Sequence, residues 1–328
     1  MATVPANLAE FSDLVSEDIQ KIFIKRMEEK GMEVDKYMNV SDTTSYYDKD
    51  SSVLGTERAK YISENASVVY DAPIQGFDQT YTQKKYGDGM KLTDQVWKYG
   101  IDFRKITSIT ETLMDAMTTK CNTDGADMLN EGFGTSYTDD DSQTVSTAGG
   151  DTVAYFSASH TREDGGTNWN NIVYDGTTYN MDFEYDALKA ARKTAAAVLT
   201  GRGQKMMVEP DTLVCKYGSS VHDRYEELMG AISRNYIPGG DENDGAAKVG
   251  LPKLITSKYL DNDLYWFAFD SGMLNEKYGL QWRWSQRPSM DAPKLEYDSD
   301  EYRRKATMFY DRGANDMRTY FGSTGANA

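Results

Sequence analysis

Histidine, cysteine and proline are scarce in this sequence: two, two and seven among 328 residues. His160 and His222 have no serine, cysteine or second histidine at a catalytic or metal-ligand spacing, which argues against triad and zinc chemistry. Cys121 and Cys215 make neither a disulfide framework nor a CxxC site, and a reducing compartment suits them. No apolar run approaches the roughly 18–20 residues that a bilayer-spanning helix needs, and mean hydropathy is −0.66. Cations are outnumbered, 36 Lys+Arg against 52 Asp+Glu, so the net charge is 36 − 52 = −16. That balance disfavours a surface that grips nucleic acid, since phosphate neutralisation needs clustered Lys and Arg. The first twenty residues are acidic where a secretion signal is basic and apolar, so no secretion is expected.

What is present is material for a core. Hydrophobic residues make up 39% and aromatics 12%, and the length suits two domains or one elaborated domain. Ile19, Ile22, Phe23 and Met27 fall at helical spacing, with Gly31 as the stop, which predicts a short amphipathic arm that docks on something or simply opens a globular domain. Residues 41–98 are rich in Ser, Thr, Tyr, Asp and Lys. Within them, 77–86 reads as a strand, Gly87-Asp88-Gly89 as a turn and Met90-Lys91-Leu92 as a second strand. So polar a ribbon cannot bury a core of its own and must lie on another surface or move.

From Ile101 the period turns helical: Ile106, Ile109, Leu113, Met117 and Cys121 recur, Gly125 weakens the middle, and Gly132-Phe133-Gly134 stops the run. About thirty residues at 1.5 Å each predict a helix of roughly 45 Å, crowded with Thr as suits a helix lying across a sheet. Residues 134–180 read as loops. A core helix follows, capped near Asp182, with Phe183, Ala187, Ala191, Thr194 and Val198 on one face. Strands are predicted at Met206–Val208, Leu213–Cys215, Leu264–Phe269, Leu280–Trp284 and Tyr302–Tyr310. A short helix capped by Ser219-Ser220 carries Val221 and Tyr225, a Gly/Asp loop spans 235–250, and Gly322–Ala328 reads as a frayed tail.

No active site stands out. Gly201-Arg202-Gly203-Gln204-Lys205 lacks the spacing and hydroxyl of a phosphate loop. The acidic runs Asp139–Asp141, Asp241–Asp244 and Asp261-Asn262-Asp263 fit no calcium loop and read as solvated turns. With 52 acids some carboxylate pair always exists, so pairing carries no signal for glycoside hydrolysis. Trp282 and Trp284 read as sheet core or interface, and His160 as a pin for its own loop. No cofactor and no metal are expected.

Four phrases in order carry a resemblance. They are Asp71-Ala72-Pro73-Ile74-Gln75-Gly76-Phe77 with Thr80-Tyr81-Thr82 before the long helix; Tyr155-Phe156-Ser157-Ala158-Ser159-His160 with Gly165-Gly166-Thr167 and Asn170-Asn171; Lys205 to Val214; and Tyr310-Asp311-Arg312-Gly313-Ala314-Asn315-Asp316-Met317-Arg318. Together they resemble the major capsid proteins of tailed bacteriophages, with the Hong Kong 97-like fold.

The resemblance implies an α+β fold with an N-terminal arm (1–45), an extended β-hairpin loop (46–98) and a spine helix opening the peripheral domain (99–180). The axial domain would span 181–270, and the C-terminal strands of the peripheral domain 271–328. It implies a structural protein, not an enzyme, that self-assembles as hexamers and pentamers into an icosahedral virion shell around double-stranded DNA, without sequence-specific binding. Assembly in the host cytoplasm, a separate scaffold protein in place of a cleaved propeptide, a portal and a decoration protein belong to the same expectation. Lys84, Lys85 and Lys91 match no Lys–Asn cross-linking motif. Contacts between subunits are expected at Ile19, Ile22, Phe23 and Met27, at Phe77, Tyr81 and Tyr86, and at Tyr302 and Tyr310. The rival readings are an encapsulin-like cargo cage and a carboxylate-based hydrolase.

Overall fold

A computed structural model describes residues 21–68, 70–93, 103–233, 251–275, 277–292, 294–296, 298–299 and 301–325. Residues 21–30 are helical (α1), and Gly31 ends them at φ +60°, its amide donating to Met27 O at 3.2 Å. This is the left-handed stop that glycine adopts without strain. Phe23 is buried, and Met27 packs against the core. The arm's apolar stripe thus lies on this chain's own body; Ile19 falls outside the described residues.

Two sheets carry the α+β fold. In the first, β1 (Asn39–Asp42) runs parallel to β10 (Leu280–Met290), which pairs antiparallel with β12 (Glu301–Ala314). β12 also pairs with β11 (Lys294–Glu296) and, along Glu301–Tyr310, with β4 (Lys84–Thr93). Alternation puts Ala306, Met308 and Tyr310 on the inner side, where Tyr310 stacks on Trp282 with ring centroids 4.3 Å apart. Both tryptophans are core, as their alternation predicts.

The helix α2 (Phe103–Asn130) packs on this sheet through Leu113, Met114, Met117 and Cys121; Cys121 Sγ lies 3.6 Å from Met308 Sδ. Its threonines are reconciled with the helix by back-bonding, Thr118 Oγ1 donating to Met114 O (3.0 Å). Gly125 is no weak point. A Cβ there would lie 2.6 Å from Val34 Cγ2 and 2.9 Å from Tyr37 Oη, so the glycine lets the turn Glu33–Lys36 and Tyr37 close onto the helix.

The second sheet has the order β13 (Tyr320–Ser323), β9 (Trp266–Phe269), β7 (Thr212–Lys216), β8 (Lys253–Ser257). β9 is buried throughout, as its unbroken apolar run predicts. The helices α3 (Tyr185–Ala197) and α4 (Ser220–Ser233) accompany this sheet. The predicted face Phe183, Ala187, Ala191, Thr194 and Val198 is buried. Ser219 Oγ accepts from His222 N (3.2 Å), the cap that Ser219-Ser220 predicts.

Four expectations are corrected. Gly87-Asp88-Gly89 is not a turn: it lies inside β4, opposite Thr307, Ala306 and Lys305. Its glycines answer to close approach, since a Cβ on Gly87 would lie 2.9 Å from Ala306 O. The hairpin is instead β2 (Tyr47–Leu54) with β3 (Ile74–Thr82), joined by residues 55–73. Met206–Val208 is irregular, and the strand begins only at Thr212, beyond Pro210. Gly322 belongs to β13, a buried strand held by β9, so a backbone partner rather than composition orders that end. The helix near Asp182 begins at Tyr185 with Glu184 at the cap position and no side-chain cap bond. The predicted loop 235–250 lies outside the described residues.

Candidate assembly interface

The β2–β3 ribbon has no core, and its surface shows it. Of the fifteen large apolar side chains left exposed among the described residues, eight fall between Tyr46 and Ile74, with Tyr61 93% and Tyr70 90% exposed. So high a share of the exposed apolar side chains in one segment suits an interaction surface.

The root of the ribbon is fastened to the first sheet. Arg283 on β10 pairs with Asp48, lies 3.5 Å from Asp50, and stacks its guanidinium 4.4 Å from the Tyr81 ring centroid. Thr82 N donates to Asp311 Oδ2 (2.7 Å), and Ser52 Oγ donates to Phe77 O (3.2 Å). Lys49 sits 2.6 Å from Asp78 and, with Ser51 and Gln75, holds that carboxyl down at about 2. Across the ribbon's loop, Arg202 Nη2 donates to Ala72 O (2.5 Å).

A buried charge node joins α2 to β12. Arg312 Nη1 meets Asp124 Oδ2 at 2.7 Å, and Arg312 Nη2 donates to Tyr137 OH at 3.0 Å. Tyr310 OH donates to the same Asp124 oxygen at 2.5 Å, while Lys120 reaches Asp124 (3.0 Å) and Asp141 (2.6 Å). Burial works against the Arg312 charge; Asp124, Tyr137 and Tyr310 together outweigh it and raise that guanidinium above its ordinary value. Asp139 is recruited here too, 3.8 Å from Arg312 and accepting the amides of Asp141 and Gln143. It is a structural acid rather than a solvated one.

His160 anchors a second node. Its Nδ1 lies 2.8 Å from Asp151 Oδ2, its Nε2 lies 3.1 Å from Asn171 Oδ1, and its ring stacks on Trp169 at 4.3 Å. Asn171 also accepts Ser157 N (2.9 Å) and donates to Tyr155 O (2.7 Å), so histidine and asparagine together pin the loop. On the far side Arg318 pairs with Glu163 (2.8 Å) and Asp316 and covers Trp169. The nearby hydroxyls are occupied: Ser159 Oγ accepts from Asn168 Nδ2 (2.8 Å), and Ser157 Oγ accepts from Ser159 N (3.1 Å). The arrangement braces a loop.

The cysteines are buried thiols, Cys215 pushed up to about 12 by burial and Cys121 raised by the same cause. Among the described residues no three His, Cys, Asp or Glu side chains gather as a metal site. Asp261 and Asp263 are engaged by Asn130 (3.3 Å) and Lys216 (2.6 Å). Asp241–Asp244 lie outside the described residues. Among the described residues no helix is long and apolar enough to cross a membrane.

The residues expected at subunit contacts divide. Phe23, Tyr81 and Tyr310 lie inside this chain's own core, so their side chains hold the protomer together. Tyr86 is half-buried and stacks on Tyr310 at 4.6 Å. Ile22, Phe77 and Tyr302 are partly open, and Met27 is packed against the core. The exposed residues of the ribbon loop, Tyr61 and Tyr70 above all, were missed because they have no periodic pattern. Arg304 and Arg312 did carry a signal: they share the even parity of Ala306, Met308 and Tyr310, which is the buried side of β12.

A family model described as phage capsid protein matches residues 77–324. Among solved structures, the capsid of the cyanophage P-SCSP1u is 13% identical over 89% of this chain and 87% of that one, with a TM-score of 0.52. The capsid of an empty GTA particle is 9% identical over 90% and 89%, TM-score 0.51. A chain of Mycobacterium phage Patience is 10% identical over 97% and 88%, TM-score 0.50. No curated protein matches the sequence. At these identities the structural likeness concerns the fold.

Proposed function

The chain belongs to the phage capsid protein family and is a major capsid protein of the virion shell, and on that premise we propose how its protomers meet. The five-stranded sheet with α2 is the peripheral domain, and the four-stranded sheet with α3 and α4 is the axial domain. Hexamers and pentamers close an icosahedral shell around double-stranded DNA. The arm Ile19–Met27, the stretch Phe77–Tyr86 from the end of β3 into β4, and the strand Tyr302–Tyr310 are its contact elements, the buried side chains among them setting the shape that the open ones present.

One observation carries this reading: eight exposed large apolar residues lie along the β2–β3 ribbon and the loop that joins its strands. A repeated shell tolerates modest single contacts, because each is made many times over. The net charge of −16 suits a wall that surrounds nucleic acid without condensing on it. A scaffold, a portal and a decoration protein are the partners proposed, with assembly in the host cytoplasm.

Size-exclusion chromatography with light scattering, followed by negative-stain microscopy of the expressed protein, tests the reading. Hexamers or megadalton particles are expected. A stable monomer overturns it, and native particles carrying a protein cargo instead of DNA point to the cage.

A further inference from the structure

The side of the β3–β4 strand away from β12 is only half covered. Successive amides along it alternate sides: Thr82 N donates to Asp311 on β12, and Gln83 N donates to Tyr46 O beside β2 (3.1 Å). By that alternation the backbone groups of Gln83, Lys85, Gly87 and Gly89 face away from β12. β2 covers this side as far as Tyr46. Beyond it, among the described residues, β4 pairs with β12 alone. Asp88 Oδ1 accepts the amide of Gly89 (2.7 Å) and closes the edge there. The outward N–H and C=O groups of Lys85 and Gly87 are left, between β2 on one side and the Asp88 cap on the other.

A second observation falls in the same place. Gln83 is 3% exposed, yet among the described residues neither its side-chain nitrogen nor its side-chain oxygen has a hydrogen-bond partner. Leaving such a buried group unsatisfied is destabilising. Gln83 is among the residues lining a groove of about 620 Å³, with Tyr46, Lys84, Lys85, Asp141 and Gln143, and its amide lies buried just beneath that surface. A primary amide with one donor and one acceptor unused is complementary to a peptide group, which offers one of each.

We propose that this groove receives an extended backbone segment of a second copy of this chain, which continues β2 along Lys85–Gly87 and pairs its peptide group with the Gln83 amide. Adding a strand to an exposed edge is a general mode of peptide capture, with main-chain bonds supplying the affinity. Charge favours a second copy as the occupant. Lys84 and Lys85 stand at the groove beside Asp141, and a chain with 52 Asp and Glu against 36 Lys and Arg has acidic segments to offer them. The inference rests on the shell reading, which surrounds each protomer with copies of itself.

Hydrogen exchange, compared between unassembled protomers and assembled particles, tests it. The amides of Lys85 and Gly87 are expected to exchange at least tenfold more slowly in particles. Two variants accompany the measurement. Gln83→Met keeps the volume but deletes both unsatisfied atoms, so it should raise the protomer's melting temperature while raising the concentration needed for assembly at least tenfold. Lys85→Pro removes one outward N–H without touching the β12 ladder, and should impair assembly in the same way while the protomer still folds. Particles whose β4 amides exchange as freely as those of protomers overturn this inference and leave the shell reading intact. Amides already protected in the protomer overturn it as well, because the chain then covers its own edge. Protection that appears only with a separate head protein reassigns the groove to that partner. A wild type that forms no particle at all removes the shell reading and this inference together.

Discussion

Arg312 on β12 and Asp124 on α2, 188 positions apart in the chain, meet as a buried ion pair at 2.7 Å, and that pair locks the long helix to the sheet it crosses. Tyr310, two residues earlier on the same side of β12, adds a hydroxyl to the same carboxylate. Removing Arg312 leaves Asp124 buried with a diminished set of partners. Arg312→Met is therefore expected to lower protomer stability by about 3–5 kcal/mol. In urea unfolding, Asp124→Asn combined with Arg312→Met should lose clearly less than the sum of the single losses. Simple additivity would show that the pair does not act as a unit.

Gly125 separates two lines of argument. Helix propensity alone says that Gly125→Ala in mid-helix gains about 1 kcal/mol. The packing says otherwise, because the new methyl would sit 2.6 Å from Val34 Cγ2 and 2.9 Å from Tyr37 Oη. Overpacking of that kind costs about 1–3 kcal/mol. A net loss of thermal stability is expected, and a rise in melting temperature would show that Tyr37 can move aside freely.

Asp127 provides the pH dependence. Burial, reinforced by the neighbouring Asp124, pushes its carboxyl up to about 6. A folded value above the ordinary carboxylate range means that the folded protein holds the proton more tightly than the unfolded chain. The stabilisation is present at low pH and is lost as pH rises through about 6. Asp127→Asn mimics the protonated form. With Asp127 only partly buried, it is expected to add ~1 kcal/mol at pH 8 and nothing at pH 4. Melting curves of both proteins across that range check the sign.

His160 carries a structural prediction. His160→Leu leaves Asp151 and Asn171 without their ring partner and removes the stack on Trp169. A loss of ~2–4 kcal/mol is expected, together with earlier proteolytic cutting in residues 157–170. Unchanged protease resistance would mean that the loop is held by its backbone bonds alone.

Tyr61 and Tyr70 test the ribbon. Both are almost fully exposed, so Tyr61→Ser with Tyr70→Ser should leave the protomer's melting temperature within about a degree, as surface substitutions usually do. Particle yield by size-exclusion chromatography should fall severalfold. Undiminished yield would place the ribbon's contacts elsewhere.

Much of this was legible in the sequence because it depends on local periodicity. The helical spacing through Leu113, Met117 and Cys121, the unbroken apolar run ending at Phe269, and the alternation of Ala306, Met308 and Tyr310 each state a face to bury. Scarce histidine and cysteine argue against triad and zinc chemistry, and a net charge of −16 disfavours a surface that grips nucleic acid.

Tertiary structure alone decided what depends on which strand lies beside which. Gly87-Asp88-Gly89 reads as a turn until Ala306 and Thr307 are seen pressed against it, and Gly322 reads as a tail until β9 claims it. Gln83 has no local signature at all. Its meaning comes from β2 ending beside it and from the absence of a partner for its amide among the described residues. The physical reason is the same each time: periodicity records which side of a segment is apolar, whereas pairing, close approach and unsatisfied polarity are properties of two segments, set only when the chain brings them together.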